Sequence, residues 1–173
     1  MKRRDLFKIS ATLPALASGS PGALAAQVAA PSWKPAVFDT HQNNTVVALT
    51  ELIIPATDTP GAKAAGVNRY LDLILRDSPA LRIEILEGLG WLDGFARTKH
   101  GKPFVACTSA EQTSMLEALD AGSDSQLEPG TRFFRSIKSQ TARIYYATEI
   151  GVRELNKGGR VPASFGCTHP EHA

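Results

Sequence analysis

The sequence predicts an all-α domain of about five helices around one core, and three observations predict it. Apolar residues recur at helical spacing in five separate stretches. No run alternates with period two well enough to read as a strand. Capping residues, prolines and glycines punctuate the chain between those stretches. The 173 residues are 43% hydrophobic and 21% charged, which fits one ordinary globular domain. No apolar run reaches the ~18–20 residues a transmembrane helix needs, so no transmembrane span is expected. A net charge of +2 is not the footprint of a nucleic-acid binder. Two cysteines are too few for a disulfide scaffold or a four-cysteine zinc site.

The first element is an address. The chain opens Lys2-Arg3-Arg4-Asp5-Leu6-Phe7-Lys8, and the paired Arg3 and Arg4 with Phe7 precede a weakly hydrophobic stretch from Ile9 to Ala17. Ala23 and Ala25 supply small residues at the two positions that a signal peptidase reads. Together these read as a twin-arginine export signal over residues 1–25, cleaved after Ala25, which directs the chain to the periplasm. Cleavage removes four basic residues and one acid, so the net charge changes from +2 to −1. The apparent basicity belongs to the signal.

Residues 26–38 hold Pro31 and Pro35 with little periodicity and read as an extended arm. The helical domain is expected over 39–160. Asp39 or Thr40 caps a first helix that carries Val46, Leu49 and Ile53 on one face and stops before Pro55. A turn-rich loop follows, Pro55-Ala56-Thr57-Asp58-Thr59-Pro60-Gly61-Ala62, in which Gly61 is free to take positive φ. Val67, Tyr70, Leu71, Ile74 and Leu75 mark a second amphipathic helix. Ser78-Pro79 starts a third, with Leu81, Ile85, Leu89 and Leu92 as its stripe and His100-Gly101 near its end. Gly88, Gly90 and Gly94 each weaken that helix by about 1 kcal/mol relative to alanine. They mark either a close approach by another backbone or local fraying.

Thr108-Ser109-Ala110-Glu111 is a capping box for a fourth helix bearing Met115, Leu116 and Leu119. Ala121 to Gly130 reads as a polar loop. One long helix then presents Phe134, Ile137, Thr141, Ile144, Thr148, Val152 and Leu155, and Gly158-Gly159 ends it. Residues 161–173 read as an irregular tail.

Glu51-Leu52-Ile53-Ile54-Pro55-Ala56-Thr57-Asp58-Thr59-Pro60-Gly61-Ala62, followed by Ala65-Gly66-Val67, resembles the signature of the gluconate 2-dehydrogenase subunit 3 family. Gly88 to Phe95 with Trp91 at its centre, Phe133-Phe134 and Tyr145-Tyr146, and the ending Gly166-Cys167 with His169-Pro170 also look like that family, in order. The resemblance implies a subunit without catalytic residues of its own. It implies a large partner of the glucose–methanol–choline oxidoreductase type that holds FAD and lacks an export signal. A cytochrome c often takes the electrons. The substrates it implies include gluconate, glucose, fructose, sorbitol and glucosides oxidised at C3.

The motifs that the chain lacks agree with a subunit role. The chain shows no GxGxxG after a strand, no P-loop, no CxxCH and no HExxH, so neither a cofactor nor a metal is expected on it. A folded-export signal on such a chain has two explanations. The chain folds too fast for threaded export, or it carries a cofactor-bearing partner that lacks a signal; the second is preferred. The rivals are a stand-alone periplasmic binding or structural module, and a small enzyme acting through His41 or His100.

Pro55, Thr57, Asp58, Thr59 and Pro60, with Trp91, Tyr145 and Tyr146, are the expected partner interface. Thr57, Asp58 and Thr59 also have a local reading, in which they cap the N–H groups of their own loop and of the next helix. Cys107 and Cys167 are expected to pair in an oxidising compartment, the alternative being two buried thiols. Cys167, His169 and His172 form a weak three-ligand metal pattern. Seven basic side chains between Arg132 and Arg160 either steer an acidic partner or form a solvated helix face.

Overall fold

The structure, a computed structural model, describes residues 33–155. The fold described here belongs to the unit that begins at Pro35. Six α-helices and no strand occur among the described residues, which is the all-α class expected, with one helix more than the five that the periodicity marks. They are α1 (Thr40–Ile53), α2 (Val67–Asp77), α3 (Pro79–His100), α4 (Ser109–Ala121), α5 (Glu128–Tyr145) and α6 (Glu149–Leu155). Short 3₁₀ turns at Phe104–Ala106 and Ser125–Leu127 precede α4 and α5. The helix α5 packs against α1, α2, α3 and α4, so it is the hub of the domain. Val46, Leu49, Leu71, Leu75, Ile85 and Leu92, on the helices that pack against it, are fully buried.

Helix ends follow local chemistry. The Asp39 carboxylate accepts from the Gln42 amide while the Gln42 side chain accepts from the Asp39 amide, a reciprocal cap for α1. Thr108 and Glu111 do the same for α4. Pro79 occupies the first turn of α3, although the Ser78 hydroxyl makes no capping bond. The loop expected at 121–130 is shorter, because Pro129 and Gly130 are accommodated in the first turn of α5.

Three further features differ from expectation. The long C-terminal helix is broken into α5 and α6. Thr148 donates its hydroxyl to Tyr145 O (2.6 Å) and accepts from Gly151 N (3.2 Å), which replaces helix bonds with local ones. The chain doubles back so closely that a Cβ on Gly151 would lie 2.1 Å from Tyr145 O. Leu155 is therefore 62% exposed instead of continuing the buried stripe.

The end of the expected arm is part of the fold. The amides of Ala36, Val37 and Phe38 all donate to the buried carboxylate of Asp72, at 2.8, 3.0 and 3.1 Å, and Phe38 enters the core. The left-handed turn glycine is Gly66 (φ 69°) at the start of α2, not Gly61. Gly61 is required for space: a Cβ there would lie 2.5 Å from Ala56 N and from Glu51 Oε1.

The three glycines of α3 divide. A Cβ on Gly88 would meet the Phe133 ring at 2.0 Å, and one on Gly130 of α5 would meet the Trp91 ring at 2.0 Å. Each helix thus receives the other's aromatic side chain in a glycine notch. Gly90 and Gly94 have nothing within 4 Å of an added Cβ. Gly158-Gly159, residues 1–25 and the 161–173 tail lie outside the described residues.

Candidate functional site

The loop between α1 and α2 is built from its neck outward. The Ala62 amide donates to Ile54 O at 2.9 Å, closing the neck after α1 ends. Glu51, in the last turn of α1, braces both sides. Its Oε1 accepts from the Ala56 amide (3.0 Å) and its Oε2 from the Lys63 amide (2.7 Å). At the tip, the Thr57 amide donates to Thr59 O (3.0 Å) and the Thr57 hydroxyl to Asp58 Oδ1 (2.8 Å). That hydroxyl bond holds the Asp58 carboxyl below the usual carboxylate range. The local reading of this motif holds inside the loop only. Asp58 serves Thr57, and the start of α2 is formed by Gly66 without a side-chain cap.

From below, the Tyr145 hydroxyl donates to Pro60 O at 2.8 Å. Tyr145 is fully buried, so it braces the loop from within and is corrected from a partner-facing residue to an internal support. Burial first, and then the Glu154 carboxylate, push its phenol up to about 12. Tyr146 is 41% exposed and meets Tyr145 edge-on, with centroids 5.2 Å apart. Pro55, Thr57, Asp58 and Pro60 are exposed and Thr59 is half-buried. The result is a pre-shaped outward surface whose backbone is already hydrogen-bonded.

Trp91 is not part of this surface. It is half-buried near the opposite end of α5, packed into Gly130 and stacked on Phe95 at 5.2 Å. The 15 residues from Gly130 to Tyr145 span about 22 Å of helix. The candidate interface residues therefore fall into two groups, one at each end of the hub helix.

The histidines are structural ties. His41 Nε2 bonds Asp93 Oδ2 at 2.5 Å, while Asp93 Oδ1 accepts from the Phe104 amide at 2.9 Å. The Gln112 side chain donates to Phe104 O at 2.8 Å, so one polar chain joins α1, α3, the 3₁₀ turn and α4. His100 Nδ1 lies 3.6 Å from Glu111, which also pairs with Lys102 at 2.8 Å. Lys102 and the Thr108 amide pull the Glu111 carboxyl down to about 2. Among the described residues neither histidine pairs with a serine or a cysteine.

Cys107 is buried, its Sγ against Pro103 O at 3.6 Å, and burial pushes its thiol up. Cys167, His169 and His172 lie outside the described residues. Among the described residues no three His, Cys, Asp or Glu side chains converge as a metal site, and no helix is long and apolar enough to cross a membrane. The basic run on α5 and α6 is partly neutralised by Arg132–Glu128, Lys138–Asp120 and Arg153–Glu149 pairs.

Sequence reasoning missed Glu51 and Asp72. Their signal was present. Asp72 follows Leu71 on the apolar side of α2, where an unpaired acid is costly, and Glu51 sits one turn before a loop rich in amides.

No curated protein and no solved structure matches the chain. The sequence model of the family described as Gluconate 2-dehydrogenase subunit 3 matches residues 40–159, from the first residue of α1 to beyond the end of α6. The match spans the braced loop, the interlocked α3–α5 seam and both aromatic pairs. The family's description names one subunit of a multi-subunit dehydrogenase, and this chain belongs to the gluconate 2-dehydrogenase subunit 3 family.

Proposed function

We propose that this chain is the non-catalytic small subunit of a periplasmic, FAD-dependent dehydrogenase acting on a sugar, polyol or glucoside. The observation that carries this reading is membership of a family whose description is itself a subunit of an oxidoreductase. The large subunit, of the glucose–methanol–choline type, holds FAD and performs the oxidation, and a cytochrome c accepts the electrons. The small subunit covers part of the flavoprotein's surface and stabilises its folded holo form by binding it. Arg3, Arg4 and Phe7 address the pair to the twin-arginine route, and cleavage follows Ala25.

The loop from Pro55 to Pro60 supports a docking role. Its Ala56 and Thr57 amides are held by Glu51 and by Thr59 O, and Glu51 also takes the Lys63 amide just beyond it, so less conformational freedom remains to be lost on contact. Tyr146, the next residue and the C-cap of α5, meets Tyr145 edge-on. After export, Cys107 pairs with Cys167 and closes a loop of about 60 residues, contributing at most about 4 kcal/mol. Thiol labelling of the unfolded, unreduced protein checks the bridge: no labelling is expected, and two labelled cysteines contradict it.

Export is tested with Arg3→Lys and Arg4→Lys together. Both polypeptides, this chain and its large flavoprotein subunit, are expected to stay in the cytoplasm. Retention of this chain alone, with active flavoprotein still in the periplasm, contradicts joint export.

A further inference from the structure

The outer face of α3 carries features that its own fold does not use. Ile83, Glu87, Gly90 and Gly94 recur at i, i+4, i+7 and i+11, which places them on one helical face. All four are exposed, and Ile83 is 57% exposed. Beside this face, between α3 and α5, runs a groove of about 560 Å³. Trp91 and Phe133 line it, and Ile83, Glu84, Glu87 and Arg132 stand around it. The two rings are held by the glycine notches opposite them, so the lining is pre-formed. Arg132 is paired with Glu128. Glu84 and Glu87 have no ion-pair partner among the described residues. An aromatic lining with two unpaired carboxylates beside it is complementary to an apolar side chain flanked by cations.

Gly90 and Gly94 extend the same face. Each lowers helix stability relative to alanine, yet an added Cβ at either would touch nothing. Packing among the described residues does not require them. Bare helix backbone beside a charged aromatic groove lets a second chain approach closely.

We infer that this α3 face docks a segment of the flavoprotein subunit that presents an apolar side chain flanked by lysine or arginine. The inference rests on the subunit reading above and adds where and by what chemistry the subunits meet. The apolar side chain enters the groove over Trp91 and Phe133, the cations face Glu84 and Glu87, and the backbone lies over Gly90 and Gly94.

The test uses the mature full-length chain and the large flavoprotein subunit that co-purifies with it, with the dissociation constant measured at low and high salt. Glu84→Lys with Glu87→Lys is expected to weaken binding at least tenfold at low salt and to remove most of the salt dependence. Gly90→Gln with Gly94→Gln is expected to weaken binding at least tenfold while the free chain melts no lower than wild type. That combination separates lost docking from lost folding. Either double variant binding within threefold of wild type overturns the inference while leaving the subunit reading intact. Wild-type chain that dimerises through this face, with the dimer broken by the same variants, assigns the face to a second copy and also overturns it. Failure of the wild-type chain to bind any flavoprotein overturns both readings.

Discussion

Gly88 and Gly90 lie two positions apart on one helix and have opposite surroundings. Gly88, like Gly130 across the seam, is filled to the limit by an aromatic ring from the facing helix. Gly90, like Gly94, faces open space. The first pair is dictated by the domain's own packing; the second weakens a helix without an internal return. A glycine's reason is therefore readable only once its neighbour is known. Elsewhere in the domain three polar residues show theirs: Asp72 has three amides, Glu51 has two, and Tyr145 has the Pro60 carbonyl. On the α3 outer face no such neighbour occurs among the described residues.

This contrast is broken most directly at the seam. Gly88→Ala places a methyl group against the base of the Phe133 ring, and a loss of about 3 kcal/mol is expected from overpacking. Urea unfolding measures it. A neutral result shows that α3 and α5 have slack and that the two glycine classes do not differ. Asp72→Ala comes next. It strands three amides that the carboxylate now satisfies, at a cost of about 2–3 kcal/mol. Hydrogen exchange at residues 36–38 is expected to accelerate in that variant. Unchanged exchange there shows that the segment is held by Phe38 alone.

Tyr145→Phe is a smaller change. It removes one hydroxyl from under the loop, for about 1 kcal/mol, and keeps the buried ring. The expected result is faster amide exchange in residues 55–62 with little effect on α3. The smallest effect is electrostatic. The Glu111 carboxyl is depressed from its ordinary 4.5 to about 2 by Lys102 and the Thr108 amide. Its stabilising contribution is thus fully present above pH 4.5 and is lost as the pH falls from there towards 2. Glu111→Gln is expected to flatten the melting-temperature profile over that interval. An unchanged slope shows that other carboxylates govern acid unfolding.

Much of the fold was legible because the deciding information is local. The α3 stripe, the Thr108–Glu111 box, the Asp39 cap and the stop before Pro55 each depend on residues within a few positions of one another. The missed features depend on partners far along the chain. Asp72 reaches back 36 residues to Ala36, and Tyr145 reaches 85 residues to Pro60. The α5–α6 break was hidden for another reason. Thr148 lies on the same helical stripe as Ile144, so periodicity continues through the break, and only the Thr148 bonds to Tyr145 and Gly151 reveal it. The exposed loop was recognisable from its prolines and threonines. Its rigidity was not, because the brace comes from Glu51 in the preceding helix.

A helical subunit that accompanies a separate redox polypeptide is expected to be isolated together with it. The most direct measurement is native isolation from the cell envelope under gentle conditions, with mass and visible absorbance recorded on the same fraction. The account predicts elution with a larger polypeptide that carries the flavin spectrum, from which this chain separates colourless on denaturation. Elution of this chain by itself, or with flavin bound to it in the absence of a larger polypeptide, contradicts it.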